Sequence, residues 1–177
     1  MQEFANSPSL RNGIFDLLSS VELATDVNVK LLDYTIQLFK DNGLFSDYYG
    51  YHNIDHELEV TYVTLLSGIH SIKDGFITLD DLNYLYVSAL LHDFDPDKAI
   101  DKPHEKNVIN FISTNKTIQK LLAEANLDPN LICALISRTI YPWKGDIITT
   151  TDKLIQRYLS KSKIKNDKKQ QEHFREL

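Results

Sequence analysis

Apolar residues along the chain recur at intervals of three and four, and glycine and proline gather at the breaks between these stretches. That pattern predicts helices over Leu10 to Ser20, Asp26 to Asp41, Ile54 to Ile72, Leu79 to Phe94, His104 to Ser113, Thr117 to Ala125, Asn130 to Thr139 and Thr150 to Ser160. No run alternates long enough to predict a strand, so the expected class is all-α. The punctuation agrees: Asn42-Gly43 and Asp74-Gly75 follow the second and third helices, and Asp128-Pro129 and Tyr141-Pro142 bracket a later one. Thr78 is placed to cap the fourth helix, with Asp81 in its first turn, where a carboxylate favours the helix dipole. Leu31, Tyr34, Leu38 and Phe39 give the second helix an apolar face for packing. Residues 1–160 read as one helical domain. Residues 161–177 turn to Lys, Gln, Asp and Glu and read as a solvated charged helix or tail, in which His173 receives no role. Phe4 and Phe174, near the termini, are apolar residues available to a partner.

Composition narrows the classes. With 177 residues, 42% hydrophobic and 25% charged, the chain suits a single globular domain. No segment approaches the apolar length of a membrane span. The stretch from Met1 to Asn12 lacks the layout of a secretory signal, so the expected location is the cytoplasm. The lone Cys133 lies in an apolar helical stretch and reads as a small buried hydrophobe. A net charge of −6 argues against extended nucleic-acid binding, which needs a dense basic surface. Small anionic substrates stay compatible with it where the local field is positive, as bound metal would make it.

The chemistry concentrates at two helix ends. In the fourth helix Leu82, Leu85, Tyr86 and Ala89 form a stripe whose next members are His92 and Asp93. An ionised carboxylate turned inward beside an imidazole costs several kcal/mol unless it is paired or coordinated, and a metal ion would compensate both groups. On the third helix His56, Val60 and Val63 share a face, and His52 precedes His56 by about one turn. A solitary histidine such as His70 is explained as an ordinary core or surface residue. Two clustered pairs on separate inward faces are not.

These residues resemble the HD-domain metal-dependent phosphohydrolases, named for an adjacent His-Asp pair here occupied by His92-Asp93. The resemblance runs from about Tyr48 to Ile112. Within it Tyr51-His52-Asn53-Ile54-Asp55-His56 is similar to the Tyr-His-Asn-x-x-His signature of the cyclic nucleotide phosphodiesterase branch, and Ser88-Ala89-Leu90-Leu91 to the approach to the His-Asp pair. The resemblance implies an HD-type helical bundle holding one or two divalent ions, from among Mn, Mg, Fe, Ni, Co and Zn. It implies His56, His92 and Asp93 as metal ligands, Asp95 as a metal-shell or water-orienting carboxylate, and His52 as proton donor to the leaving oxygen. The family's last ligand is an Asp on a later helix; Asp152 is the expected residue, with Asp146 or a residue beyond Leu177 as alternatives. Glu57 and Glu59 replace the Ala and Asp usual in the phosphodiesterase branch, and Pro96 stands where its loop histidine would be. The region that holds a purine in that branch has no counterpart, so specificity for cyclic nucleotides does not follow.

The loop from Asp95 to Lys106 has two readings, a solvated connection or a phosphate-binding segment. In the second, Lys98 and Lys102 meet phosphate oxygens and His104 binds substrate or a second metal. Arg138 is a further phosphate contact, and Tyr141-Pro142-Trp143 a candidate pocket wall. The function expected is hydrolysis of a small phosphomonoester or phosphodiester, with nucleotides among the candidates, by water whose pKa a metal lowers to roughly 7. The alternatives are a di-iron oxygenase of the same superfamily and a helical regulatory module without turnover.

Overall fold

Most helices start where a side chain can accept the first unpaired backbone N–H groups. In the computed structural model, which describes residues 7–48, 50–97, 103–140 and 145–177, nine helices are present and no strand occurs among the described residues. They are α1 Ser7–Ser20, α2 Asp26–Asp41, α3 Ile54–Lys73, α4 Leu79–Leu91, α5 Glu105–Thr114, α6 Lys116–Glu124, α7 Pro129–Ser137, α8 Asp146–Leu159 and α9 Lys168–Glu176. Thr25 caps α2, Asn53 caps α3, Asn115 caps α6, Asp128 caps α7 ahead of Pro129, and Asp167 caps α9. At α4 the expected cap is a reciprocal box: Thr78 Oγ1 accepts from the Asp81 N–H, and the Asp81 carboxylate accepts from the Thr78 N–H at 2.8 Å.

The helices share one hydrophobic core. α3 packs most extensively on α4 and on α1, and α7 lies against α4, α5 and α8. Leu131 to Ser137 of α7 are all buried, as an apolar helix without a polar face requires. Gly68 lets α3 and α4 meet closely; a Cβ there would stand 2.3 Å from Cδ1 of the fully buried Leu82. Leu31 and Phe39 of α2 are buried, and Tyr34 and Leu38 pack against the same core. Cys133 is buried, and burial pushes its thiol up to about 12, so it is inert at neutral pH. No helix among the described residues is long and apolar enough to cross a membrane.

Three expectations are corrected. The fourth helix stops at Leu91 rather than Phe94; His92 is the C-cap, Asp93 lies in the following turn, and Pro96 keeps Asp95 from resuming the helix. α8 starts at Asp146, four residues early, and Gly145 precedes it with φ of +57°. The charged segment after residue 160 is not a solvated tail. Ile164 and Phe174 are buried, the Phe174 ring meets Tyr84 edge-on at 5.2 Å, and His173 Nε2 lies 2.9 Å from Asp81 Oδ2. Phe174 is thus a core residue rather than one held out for a partner, and Phe4 lies outside the described residues.

Two outcomes follow from this docking. Phe174→Ala should cost about 3 kcal/mol in chemical denaturation, as for other buried aromatics; an unchanged midpoint would mean that α9 contributes nothing to the core. The Asp81 carboxyl sits below its ordinary 3.8, since bonds from Thr78 and His173 outweigh the opposing effect of burial. Its contribution to stability is therefore present above pH about 4 and lost as pH falls through the lowered value. Asp81→Asn should remove that acid-side component from a melting-temperature profile against pH, leaving a flatter curve than the parent between about pH 5 and 2.

Candidate metal centre

The N-terminal end of α3 and the C-terminal end of α4 meet, and four of the predicted site residues meet with them. Asn53 Oδ1 accepts from the N–H groups of Asp55 and His56, at 3.0 and 3.2 Å, which fixes the first turn of α3 and the exit of the His56 side chain. The turn before it, closed by the Asn53 N–H on the Tyr51 carbonyl at 3.0 Å, brings His52 to the same place. From α4, His92 Nδ1 donates to the Ala89 carbonyl at 2.8 Å, leaving Nε2 to face Asp93.

Asp93 Oδ2 is the common point. His52 Nδ1 lies 2.5 Å from it, and His56 Nε2 and His92 Nε2 each lie 3.3 Å away. Donors on a tetrahedral zinc, each about 2.0 to 2.1 Å from the ion, stand roughly 3.4 Å apart, so each of the two longer separations is that of an imidazole and a carboxylate oxygen on one ion. The His52 separation is that of a direct, charge-assisted hydrogen bond. Among the described residues, two sets of three have ligand atoms all within 4.8 Å of one another: His52, His56 and Asp93, and Glu57, His92 and Asp93. His56 and His92 thus fall in different sets, joined through Asp93.

Glu57 is the residue that sequence reading missed. It is 0% exposed; its Oε2 has no hydrogen-bond partner and lies 3.3 Å from His92 Nδ1, and Oε1 accepts a long bond from the Asp93 N–H at 3.5 Å. Burial raises the Glu57 carboxyl above its ordinary range, and the His92 ring opposes this only in part. For His92, burial favours the neutral ring, but the carboxylates of Glu57 and Asp93 overcome it and raise its pKa. Burial also works against the charge of Asp93, yet hydrogen bonds from His56, His92 and His52 hold it far below the usual carboxylate range. The buried residues of α3, Glu57, Leu58, Thr61, Leu65 and Gly68, recur at helical spacing, so the stripe containing Glu57 was legible. The expected stripe through His56, Val60 and Val63 instead borders the core, with Val63 57% exposed.

Other expected residues lie elsewhere. Asp95 is 1% exposed and holds its loop together: Oδ1 accepts from the Asp97 N–H, and Oδ2 from the His104 N–H and Asn107 Nδ2. It belongs to neither set of possible ligands. His104 is the exposed N-cap residue of α5 and belongs to neither set. Asp152 is exposed on α8, whose buried face is Thr151, Ile155 and Leu159, and Asp146 at the start of that helix is exposed too. Neither acid joins the cluster, because α8 turns Thr151, Ile155 and Leu159 to the core and both acids lie off that face. Arg138, half-buried at the end of α7, does line a cavity of about 420 Å³ shared with His52, His56, His92 and Asp93. Lys98, Lys102 and Tyr141-Pro142-Trp143 lie outside the described residues.

Comparison of the chain with known family models, with curated proteins and with solved structures finds no match.

The position of Glu57 beneath the His92-Asp93 turn makes it testable apart from any reaction. Glu57→Gln, nearly the same shape, should leave the fold intact and weaken divalent-cation binding by about tenfold or more in titration calorimetry, the effect of losing a group that orients a ligand. Affinity equal to that of the parent would reduce Glu57 to a packing residue.

Proposed function

We propose that the chain is a metal-dependent phosphohydrolase acting on a small phosphomonoester or phosphodiester, a nucleotide being among the candidates. One observation carries the reading: a single carboxylate oxygen, Asp93 Oδ2, has three imidazole nitrogens from two helix ends within 3.3 Å, beside an open cavity. The donor set fits a divalent ion. Imidazole and carboxylate accommodate Mn, Fe, Co, Ni and Zn, and a dication balances the charges of Asp93 and Glu57. Glu57 Oε2, buried without a hydrogen-bond partner, is what such balance leaves explained. The residues to hold it are Asp93 with His56 and His92, whose Nε2 atoms each lie 3.3 Å from Asp93 Oδ2 but which join it in two separate close sets, and Glu57 lies 3.3 Å from His92. When bound, the ion supplies positive charge to a phosphate and lowers the pKa of water.

The chain's own groups do the rest. The Nδ1 contact of His52 with Asp93 fixes its ring at the edge of the cluster, where it donates a proton to the departing oxygen. Arg138, across the same cavity, meets phosphate oxygens with a planar cation. Apolar residues of the cavity, including Val60, Leu85 and Leu135, offer apolar contact to the rest of a bound ester.

The test is a panel of nucleotides and aryl phosphates incubated with the protein and each of several divalent metals, read as released phosphate. His52→Ala should lower turnover by about a hundredfold or more while metal content is retained, as loss of a general acid does. Asp93→Ala should lose both metal and turnover. Equal metal loss in the two variants would contradict the division of roles, and no turnover of any ester with any metal would overturn the reading.

A further inference from the structure

The cluster has a second face. His56, Val60 and Thr64 line the Arg138 cavity on one side and, on the other, a groove of about 510 Å³ whose remaining walls include Leu10, Tyr51, Tyr62 and Val63. Tyr51 is 71% exposed, unusual for a ring set among apolar neighbours. Its centroid lies 4.2 Å from that of His56, tilted by 42°, and 5.2 Å from that of His52, edge to face. An open aromatic surface therefore begins one imidazole away from Asp93, directly beside the ring that donates to the leaving oxygen.

Resting on the phosphohydrolase reading, we infer that the groove at Tyr51 is the subsite for the leaving group, and that this group is planar, aromatic and uncharged. His52 lines the Arg138 cavity and meets the Tyr51 ring edge to face, so a group whose linking oxygen takes the His52 proton extends past His52 and over the His56, Val60 and Thr64 wall shared by both hollows, to the stacking face of Tyr51. Leu10, Val60 and Val63 offer apolar contact to the rest of the ring system. Glu59 also lines the groove, and its carboxylate disfavours a second phosphate there. An alkyl alcohol gains no stacking from this surface, and a polyphosphate is repelled by it.

Binding of two phosphonates that differ in one group, measured by calorimetry with Mn²⁺ present, tests the subsite without turnover. Phenylphosphonate should bind the parent protein about tenfold more tightly than methylphosphonate, the scale of one stacked, partly buried ring. Tyr51→Ala, at an exposed position, should keep the parent melting temperature and methylphosphonate affinity but bring the two ligands within about twofold, while Tyr51→Phe should restore the difference. Equal binding of both ligands by the parent, or an undiminished phenyl preference in Tyr51→Ala, overturns the subsite alone. Failure of the parent to bind either phosphonate overturns the phosphohydrolase reading and the subsite with it.

Discussion

The arrangement depends on one carboxylate. Asp93 Oδ2 gathers His52, His56 and His92 around itself, and without that charge the three imidazoles would have no common partner at the mouth of the cavity. The position of Asp93 follows from local events: α4 ends at Leu91, Pro96 keeps Asp95 out of helical backbone, and the turn between brings the Asp93 side chain from the end of α4 toward the start of α3. Asn53 does the complementary work on the other side, fixing the first turn of α3. Two helix ends, each defined by a short-range signal, thereby produce a long-range constellation.

Glu57 turns that constellation into an electrostatic problem. A fully buried carboxylate with an oxygen lacking a hydrogen-bond partner costs on the order of a few kcal/mol unless charge nearby compensates it. In the protein alone His92 serves as the counter-charge, its basicity raised by the two acids around it. This mutual dependence resists removal of any single member, since each loss strands the charge of another.

Helix identity was legible because apolar spacing is a local property that packing then reinforces: α2 matches its expected limits, and α3 differs by one residue at its end. The pairing of His52, His56, His92 and Asp93 was legible from their clustering at two helix ends, although His52 and Asp93 lie in the turns flanking those helices rather than on inward faces. Three features escaped the sequence. Asp152 faces outward because the core takes its neighbour Thr151 together with Ile155 and Leu159, a register that spacing alone left open. The burial of Phe174 and Ile164 was hidden by lysines and glutamines that flank them, because average polarity over a short helix conceals a single apolar anchor. Glu57 was overlooked because acids at a helix start are expected at the surface, where they complement the dipole.

α4 is a stiff rod of 13 residues, about 20 Å long at 1.5 Å per residue, fastened at one extremity and working at the other. At its beginning Asp81 ties together Thr78 and His173, so the docked α9 and the rod share an anchor. At its far end stand His92 and Asp93. Slack at the anchor therefore tilts the rod and displaces the side chains of His92 and Asp93, much as a loosened peg detunes a string along its whole length.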